Sequence, residues 1–325
     1  MSAGPEEIAR AVARLRAGGL VAFPTETVYG LGADALNAEA VGRVFAVKGR
    51  PGRNPLIVHV SGPAMARRVV GTWPEEAEAM ARAFWPGPVT LVLPKGTGLP
   101  GAVTAGGATV GVRCPRHHVT LALLEAFGGP LVGPSANRSG GVSPTTAAHV
   151  REAFSEAEVE VLDGGPCEVG IESTVVSLAG GEVEVLRPGV VGAEEIGRVV
   201  GRPVRVRACG EDESGRVLES PGMLGSHYAP RTRAEMVSRE GIAGRVAREL
   251  GRVVVLTHTG VEVGPGHVRV EMPVEAVGYA SRLYSSLREA DNAGAGLIVV
   301  ERPEGVGALW DAIRDRLVRA TAARG

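Results

Sequence analysis

Along the chain, short apolar runs alternate with amphipathic stretches in which apolar side chains recur every three or four residues. That pattern is the mark of strands interleaved with helices. Pro5, Glu6 and Glu7 open the first helix, Ile8, Val12 and Leu15 give it one buried stripe, and Gly18-Gly19 end it. A strand over Leu20–Phe23 follows. Asn37 is placed to cap a helix running to about Val47, and Leu56–Val60 reads as a buried strand. The pattern next predicts a helix over Pro74–Phe84, strands over Val89–Leu93 and Thr109–Arg113, a helix over Leu121–Phe127 and a short strand at Leu131-Val132. Ser143-Pro144 reads as the start of another helix by the same capping logic, before strands over Val159–Leu162, Thr174–Leu178 and Val183–Leu186. Helices and strands alternate early and strands cluster later, so a mixed α/β sheet fits better than a pure βαβ array.

From Arg202 to Arg233 the rhythm breaks into Gly, Ser, Pro and charged residues, which marks an interdomain linker. Beyond it the chain reads as a helix near Ile242–Leu250, strands at Val253–Thr257 and Val268–Met272, a helix Val274–Asp291, a strand Leu297–Val300 and a last helix from about Gly307. The expected division is therefore a first domain over 1–201, a linker or lid over 202–233, and a small Rossmann-like α/β domain over 234–325. This last part holds no G-x-G-x-x-G after a strand, so a structural or lid-supporting role is expected of it.

Composition narrows the class. The 325 residues carry a net charge of −1, and Cys114, Cys167 and Cys209 are too scattered for a disulfide framework or a cysteine zinc site. Met1–Arg16 has no apolar core and no 18-residue apolar run occurs anywhere, so a cytoplasmic protein with no membrane span is expected. The net charge conceals an asymmetry: residues 40–151 hold twelve basic and four acidic residues, a balance of +8, against −9 for the rest. A compact cationic region implies an anionic ligand. Only Lys48 and Lys95 of the 35 basic residues are lysine, which draws attention to both.

Familiar motifs are missing. Neither lysine follows a Walker loop, the seven histidines show no zinc spacing, and there is no G-x-S-x-G elbow. Polar clusters at strand ends remain. They are Pro24–Gly32, the Lys48–Pro55 loop with His59 in the strand beyond, Arg113 at a strand end, Gly133–Pro144, Gly170–Thr174, and Arg187-Pro-Gly189. A capped turn, a solvated basic loop, a core histidine or a structural ion pair would account for each singly. Arg113 stands in an acid-poor window, which points to a ligand carboxylate or phosphate as its partner. The glycine-rich Gly133–Pro144 segment can present hydroxyls and backbone N–H groups to phosphate oxygens.

Taken in order, P-T-E-T-V-Y-G-L-G, K-G-R-P-x-x-N-P-L-I-V-H, W-P-G-P-V-T, V-x-V-R, P-S-A-N-x-S-G, S-P-T, G-I-E-S-T-V-V and R-P-G closely resemble the YrdC-like family of L-threonylcarbamoyladenylate synthases. The resemblance covers roughly residues 18–190. Ser220-Pro-Gly-Met223 and His227-Tyr-Ala-Pro230, with the domain beyond, are similar to the longer two-domain members. It implies a twisted mixed α/β sheet with a cationic concave face. The implied activity is a nucleotidyltransferase making threonylcarbamoyl-AMP and pyrophosphate from ATP, bicarbonate or CO₂, and L-threonine. That is the first step of the threonylcarbamoyladenosine modification of tRNA beside the anticodon, with the product passing to a tRNA threonylcarbamoyl-transfer complex.

Residue by residue, the family's K-x-R and S-x-N signatures fall on Lys48, Arg50, Ser135 and Asn137, the implied catalytic set. The implied threonine site is Thr27, His59, Arg113, Gly133 and Ser173. The implied ATP site is Lys48, Arg50, Asn54, Thr109, Ser135, Asn137, Ser143, Arg187 and the linker's Tyr228, with Mg²⁺ arriving with ATP and no protein metal site. One departure is visible: many relatives carry a basic and an aromatic residue where Leu224, Gly225 and Ser226 stand. Two other readings compete. A cationic sheet could dock double-stranded RNA, at least weakly, but the basic window has few aromatics for stacking. A carbamoyl-adenylating transferase would share the chemistry, but its zinc-finger and acylphosphatase segments are absent.

Overall fold

The computed structural model describes residues 3–207 and 227–322. Ser220–Ser226 and Cys209, which the sequence reading singled out, lie outside the described residues. The chain forms two sheets. The first has ten strands: β1 (Leu20–Phe23), β2 (Gly30–Asp34), β3 (Ile57–His59), β4 (Val89–Pro94), β5 (Thr109–Arg113), β6 (Leu131–Val132), β7 (Val159–Val161), β8 (Thr174–Ser177), β9 (Glu184–Arg187) and β10 (Arg205–Val206). Their order is β10-β9-β8-β4-β5-β3-β6-β2-β1-β7, with parallel and antiparallel pairs mixed. Helices α1 (Pro5–Arg16), α2 (Ala38–Lys48), α3 (Pro63–Ala66), α4 (Glu75–Phe84), α5 (His118–Phe127), α6 (Ala147–Ala153) and α7 (Ala193–Val200) accompany it.

The second sheet is smaller and wholly parallel. It comprises β11 (Ala234–Val237), β12 (Val253–Thr257), β13 (Val268–Glu271) and β14 (Leu297–Glu301) in the order β11-β14-β12-β13. Its helices are α8 (Ile242–Ala247), α9 (Ala276–Asn292) and α10 (Ala308–Thr321). All five positions of β12 and of β14 are buried, as expected for strands covered on both faces.

Most elements form where the apolar pattern places them, and Asn37 caps α2 by accepting from the N–H groups of Glu39 and Ala40. Three expectations need correction. Gly30–Gly32, the end of the Pro24–Gly32 cluster that a capped turn would account for, belong to a strand antiparallel to β1. Its glycines look like loop signals, yet a Cβ at Gly30 or Gly32 would lie 2.7 or 2.8 Å from the Phe23 ring, so β1 fills the space they leave. The helix expected from Ser143-Pro144 starts later: Thr146 caps α6, while the Ser143 hydroxyl donates to Glu172 at 2.7 Å. The segment read as linker contributes β10, paired parallel with β9.

The two units share a core. Val28, Val142 and Ile171 of the first pack in one apolar cluster with Tyr279, Ala280, Leu283 and Tyr284 of α9. Gly170 permits the approach, since its φ is +79° and a Cβ there would meet the Ala280 carbonyl oxygen and the Ser281 Cα, each at 2.5 Å. Gly170→Ala combines left-handed strain with that collision. The variant is expected to lose at least about 2 kcal/mol of stability in urea denaturation, and a change below about 0.5 kcal/mol would show that the units tolerate separation there.

Candidate functional site

The site lies between the ends of β3 and β5 and the loops that follow β1, β6 and β9. Parallel pairing of β3 with β5 sets His59 opposite Arg113. Arg113 is buried, with Nη2 2.7 Å from Glu26, Nη1 donating to Thr27 Oγ1 at 2.8 Å and Nε donating to the Gly87 carbonyl. This corrects the expectation drawn from the acid-poor window. The carboxylate partner is internal and comes from the loop after β1, outside that window, so a ligand carboxylate would join an arginine already oriented by Glu26.

His59 packs edge-on against Phe23, with ring centroids 5.2 Å apart, and its buried Nδ1 has no hydrogen-bond partner among the described residues. Burial, reinforced by the Arg113 cation, holds its pKa well below the usual imidazole value. The ring is therefore neutral at working pH. Gly133 is required beside it, because a Cβ would stand 2.5 Å from His59 Nδ1. Across the cavity, the hydroxyls of Ser173 and Thr90 lie 2.8 Å apart, and Arg187 donates to the Ser173 carbonyl through Nε and Nη2.

Lys48 ends α2, and Gly49 in the left-handed region (φ 60°) turns the chain so that Arg50 also points inward. The Lys48 ammonium donates to the carbonyl oxygens of Ser135 (2.6 Å) and Asn137 (2.5 Å). Arg50 donates to those of Asn54 and Pro55. No carboxylate pairs with either among the described residues. Burial first, then the neighbouring Arg50 and Arg138 cations, pushes the Lys48 pKa well down, and burial lowers Arg50 to about 10. Buried positive charge held only by carbonyl dipoles is poised to take an anion.

Unpartnered buried polar atoms gather in the same region. They include both side-chain heteroatoms of Asn54, Asn137 Oδ1, His59 Nδ1, His227 Nδ1 and Tyr228 Oη. Buried polar groups are ordinarily bonded, so such clustering marks where ligand atoms complete the set.

Thr27, His59, Arg113, Gly133 and Ser173 all line one cavity with Arg50, Ser135, Arg187 and Tyr228. In this structure it is narrow, with about 40 Å³ open to water-sized groups. Lys48 and Asn137 stand just behind its Ser135 wall, and Asn54 is reached through Arg50. Thr109 and Ser143 do not line the cavity. Thr109 begins β5, about 13 Å along the strand from Arg113 at roughly 3.3 Å per residue. Ser143 is spent on Glu172.

Glu26, Glu172 and His227 belong to the site's construction although none was assigned a role from sequence. Both acids lie inside motifs already noted, but nothing in the sequence says that each faces a buried arginine. Tyr228 adopts φ +62°, stacks edge-on with His227 at 4.1 Å and closes one side of the cavity. Burial pushes the His227 pKa down to about 3, with Arg50 and Lys48 adding to the fall and Glu172 opposing it.

A mixed-sheet α/β enzyme whose cavity joins a cationic wall to a small polar recess is the class that this fold and site define. Residues 13–189 match the Sua5/YciO/YrdC family model, described as "Telomere recombination", and residues 191–322 match "Threonylcarbamoyl-AMP synthase, C-terminal domain". The threonylcarbamoyl-AMP synthase of Pyrococcus abyssi is 41% identical over 320 residues, covering 95% of this chain and 92% of that protein. That of Bacillus subtilis is 39% identical, covering 100% and 95%. The solved structure of P. abyssi Sua5 complexed with L-threonine matches with a TM-score of 0.87 at 40% identity, covering 97% of this chain and 94% of that one. The chain belongs to the Sua5 family of threonylcarbamoyl-AMP synthases.

Because His59 and His227 have depressed pKa values in the folded protein, the unfolded chain binds more protons than the native one below about pH 6.5. Stability is therefore lost as pH falls from about 6.5 towards 4, each histidine adding a slope approaching about 1.4 kcal/mol per pH unit. Urea denaturation between pH 7 and 4 should show a shallower decline for His227→Gln than for the parent. Equal slopes would remove His227 from this account.

Proposed function

We propose that this cavity condenses L-threonine, CO₂ or bicarbonate, and ATP into threonylcarbamoyl-AMP and pyrophosphate, the first step of threonylcarbamoyladenosine formation on tRNA. The observation that carries the reading is the adjacency, in one cavity, of Thr27, His59, Arg113 and Ser173 to Arg50 and Arg187, with the Lys48 cation behind Ser135. One set is fit for an amino acid, and the other for phosphates.

The chemistry needs both. The threonine amine nitrogen bonds to the carbon of CO₂ and loses a proton, giving a carbamate that is short-lived in water. A carbamate oxygen then attacks the α-phosphorus of ATP, and the bond to pyrophosphate breaks. Two anions must meet in line, so cations on both sides are required. In this reading Arg113, oriented by Glu26, holds the threonine carboxylate, while Arg50, Arg187 and Lys48 take the phosphates. Neutral His59 offers the amino acid a hydrogen-bonding nitrogen and no competing charge. Positioning of the carbamate against phosphorus can contribute up to about 7–11 kcal/mol. Tyr228, with His227 beside it, would close the cavity and exclude water.

Magnesium would enter as the ATP complex, held by phosphate oxygens and neutralising their charge. Among the described residues there is no group of three His, Cys, Asp or Glu side chains able to hold a metal ion. The product would pass to a tRNA threonylcarbamoyl-transfer complex. No helix among the described residues is long and apolar enough to cross a membrane.

Purified protein with ATP, bicarbonate and Mg²⁺ is expected to release pyrophosphate only when L-threonine is present. Release without threonine, or none under any condition, would sink the reading. Lys48→Ala and Arg50→Ala should each lower that rate at least about a hundredfold while moving Tm by no more than about 5 °C.

A further inference from the structure

Three of the contacts that join the second unit to the first fall on the loops that carry Ser173 and Arg187. Gly170 sits against the α9 backbone, as described above. Gly192, just past β9, lies where a Cβ would come within 2.7 Å of the Ala308 Cβ at the start of α10. The third contact is Arg316 of α10, which is fully buried.

Arg316 spans both loops. Its Nε donates to Glu172 Oε2 at 3.0 Å, its Nη2 to the Glu172 carbonyl at 3.2 Å and its Nη1 to the Pro188 carbonyl at 2.7 Å. The Glu172 carboxylate also accepts from Tyr284 of α9 at 2.8 Å and from Ser143 at 2.7 Å, so no rotamer is left open to it. The next residue along is Ser173, and the residue before Pro188 is Arg187. The same guanidinium lies 5.8 Å from the centroid of the Tyr228 ring. One side chain of the second unit thus fixes the two loops of the threonine and phosphate subsites and supports the tyrosine that closes them.

We infer that Arg316 is a positioning residue of the active site, and that the second unit acts in catalysis by presenting it to Glu172 and Pro188. Arg316 does not touch the cavity; it sets the depth of Ser173 and the direction of Arg187. A lysine cannot replace it, because an ammonium is a point charge and these acceptors need the planar fork. The inference rests on the threonine-activating reading, and the test separates the two.

Full-length parent protein is first assayed for threonine-dependent pyrophosphate release; if it shows none, the functional reading fails and this one with it. With an active parent, Arg316→Lys should raise the threonine KM about tenfold or more while Tm moves by less than about 4 °C. Combined with Ser173→Ala, it should be non-additive by about fivefold or more, since both act on one loop. An unchanged threonine KM, or strict additivity, overturns the inference with the functional reading intact. Should Arg316→Lys fail to fold, Tyr284→Phe decides: it removes one bond to Glu172 and leaves the fork in place. A rise of about threefold or more in the threonine KM supports the inference, and no change overturns it.

Discussion

Everything in this molecule is arranged around positive charge that is buried before any anion arrives. Lys48 and Arg50 are almost wholly inaccessible, and their hydrogen bonds run to neutral carbonyl oxygens. Removing a cation from water without a counter-ion is expensive, and the lowered pKa of each group records the strain. The protein sustains that cost with rigid supports: a capped helix ending at Lys48, a left-handed Gly49, and a Ser135–Asn137 loop whose carbonyls point at the ammonium. In the proposed reading, a phosphate entering the cavity meets charge whose desolvation was completed during folding, so little solvent must be reorganised when it binds.

Where a buried cation does have an acid, the acid serves to aim it. Glu26 turns Arg113 towards the cavity and Glu172 anchors Arg316 beneath it. Burial pushes the Glu172 carboxyl up, but Arg316 and Arg187, together with the Ser143 and Tyr284 hydroxyls, more than offset this and keep it ionised. Buried pairs of this kind add little net stability compared with an apolar replacement, while loss of one partner is severe. Their use here is geometric. Two such pairs set the directions of guanidinium groups that a solvent-exposed loop could not hold.

Much of this was legible in the sequence, for identifiable reasons. Strand β5 and the strand carrying His59 are short apolar runs bounded by turn residues, and the polar clusters at their ends are where ligand groups collect in open sheets. The sign of the ligand charge followed from the +8 balance of residues 40–151. What escaped depends on contacts distant in sequence. Gly30 and Gly32 read as turn residues because the Phe23 ring that packs over them belongs to another strand. Glu26 lies 87 positions before its arginine and Glu172 lies 144 before its own, so a charge count in any local window misses both. Ser143 has the form of a helix cap, and only the folded chain shows a nearby carboxylate competing for its hydroxyl.

The same separation explains why the second unit looked empty of chemistry. Its parallel sheet carries no nucleotide fingerprint, and its largest buried cluster is spent on Tyr279, Leu283, Tyr284 and Leu287 against Ile171 and Val142 of the first unit. A mixed sheet with site loops at its edge has a difficulty that this packing removes. Loops are the most mobile part of a fold, yet the reaction requires a carbamate and a phosphate to be held within reach of each other. Seating the 170–173 and 187–192 loops on α9 and α10 converts them from edge loops into interior segments, with Ser173 and Arg187 buried as deeply as core residues. Precision is gained without a larger catalytic sheet, and the chemistry stays on one unit while its rigidity comes from the other.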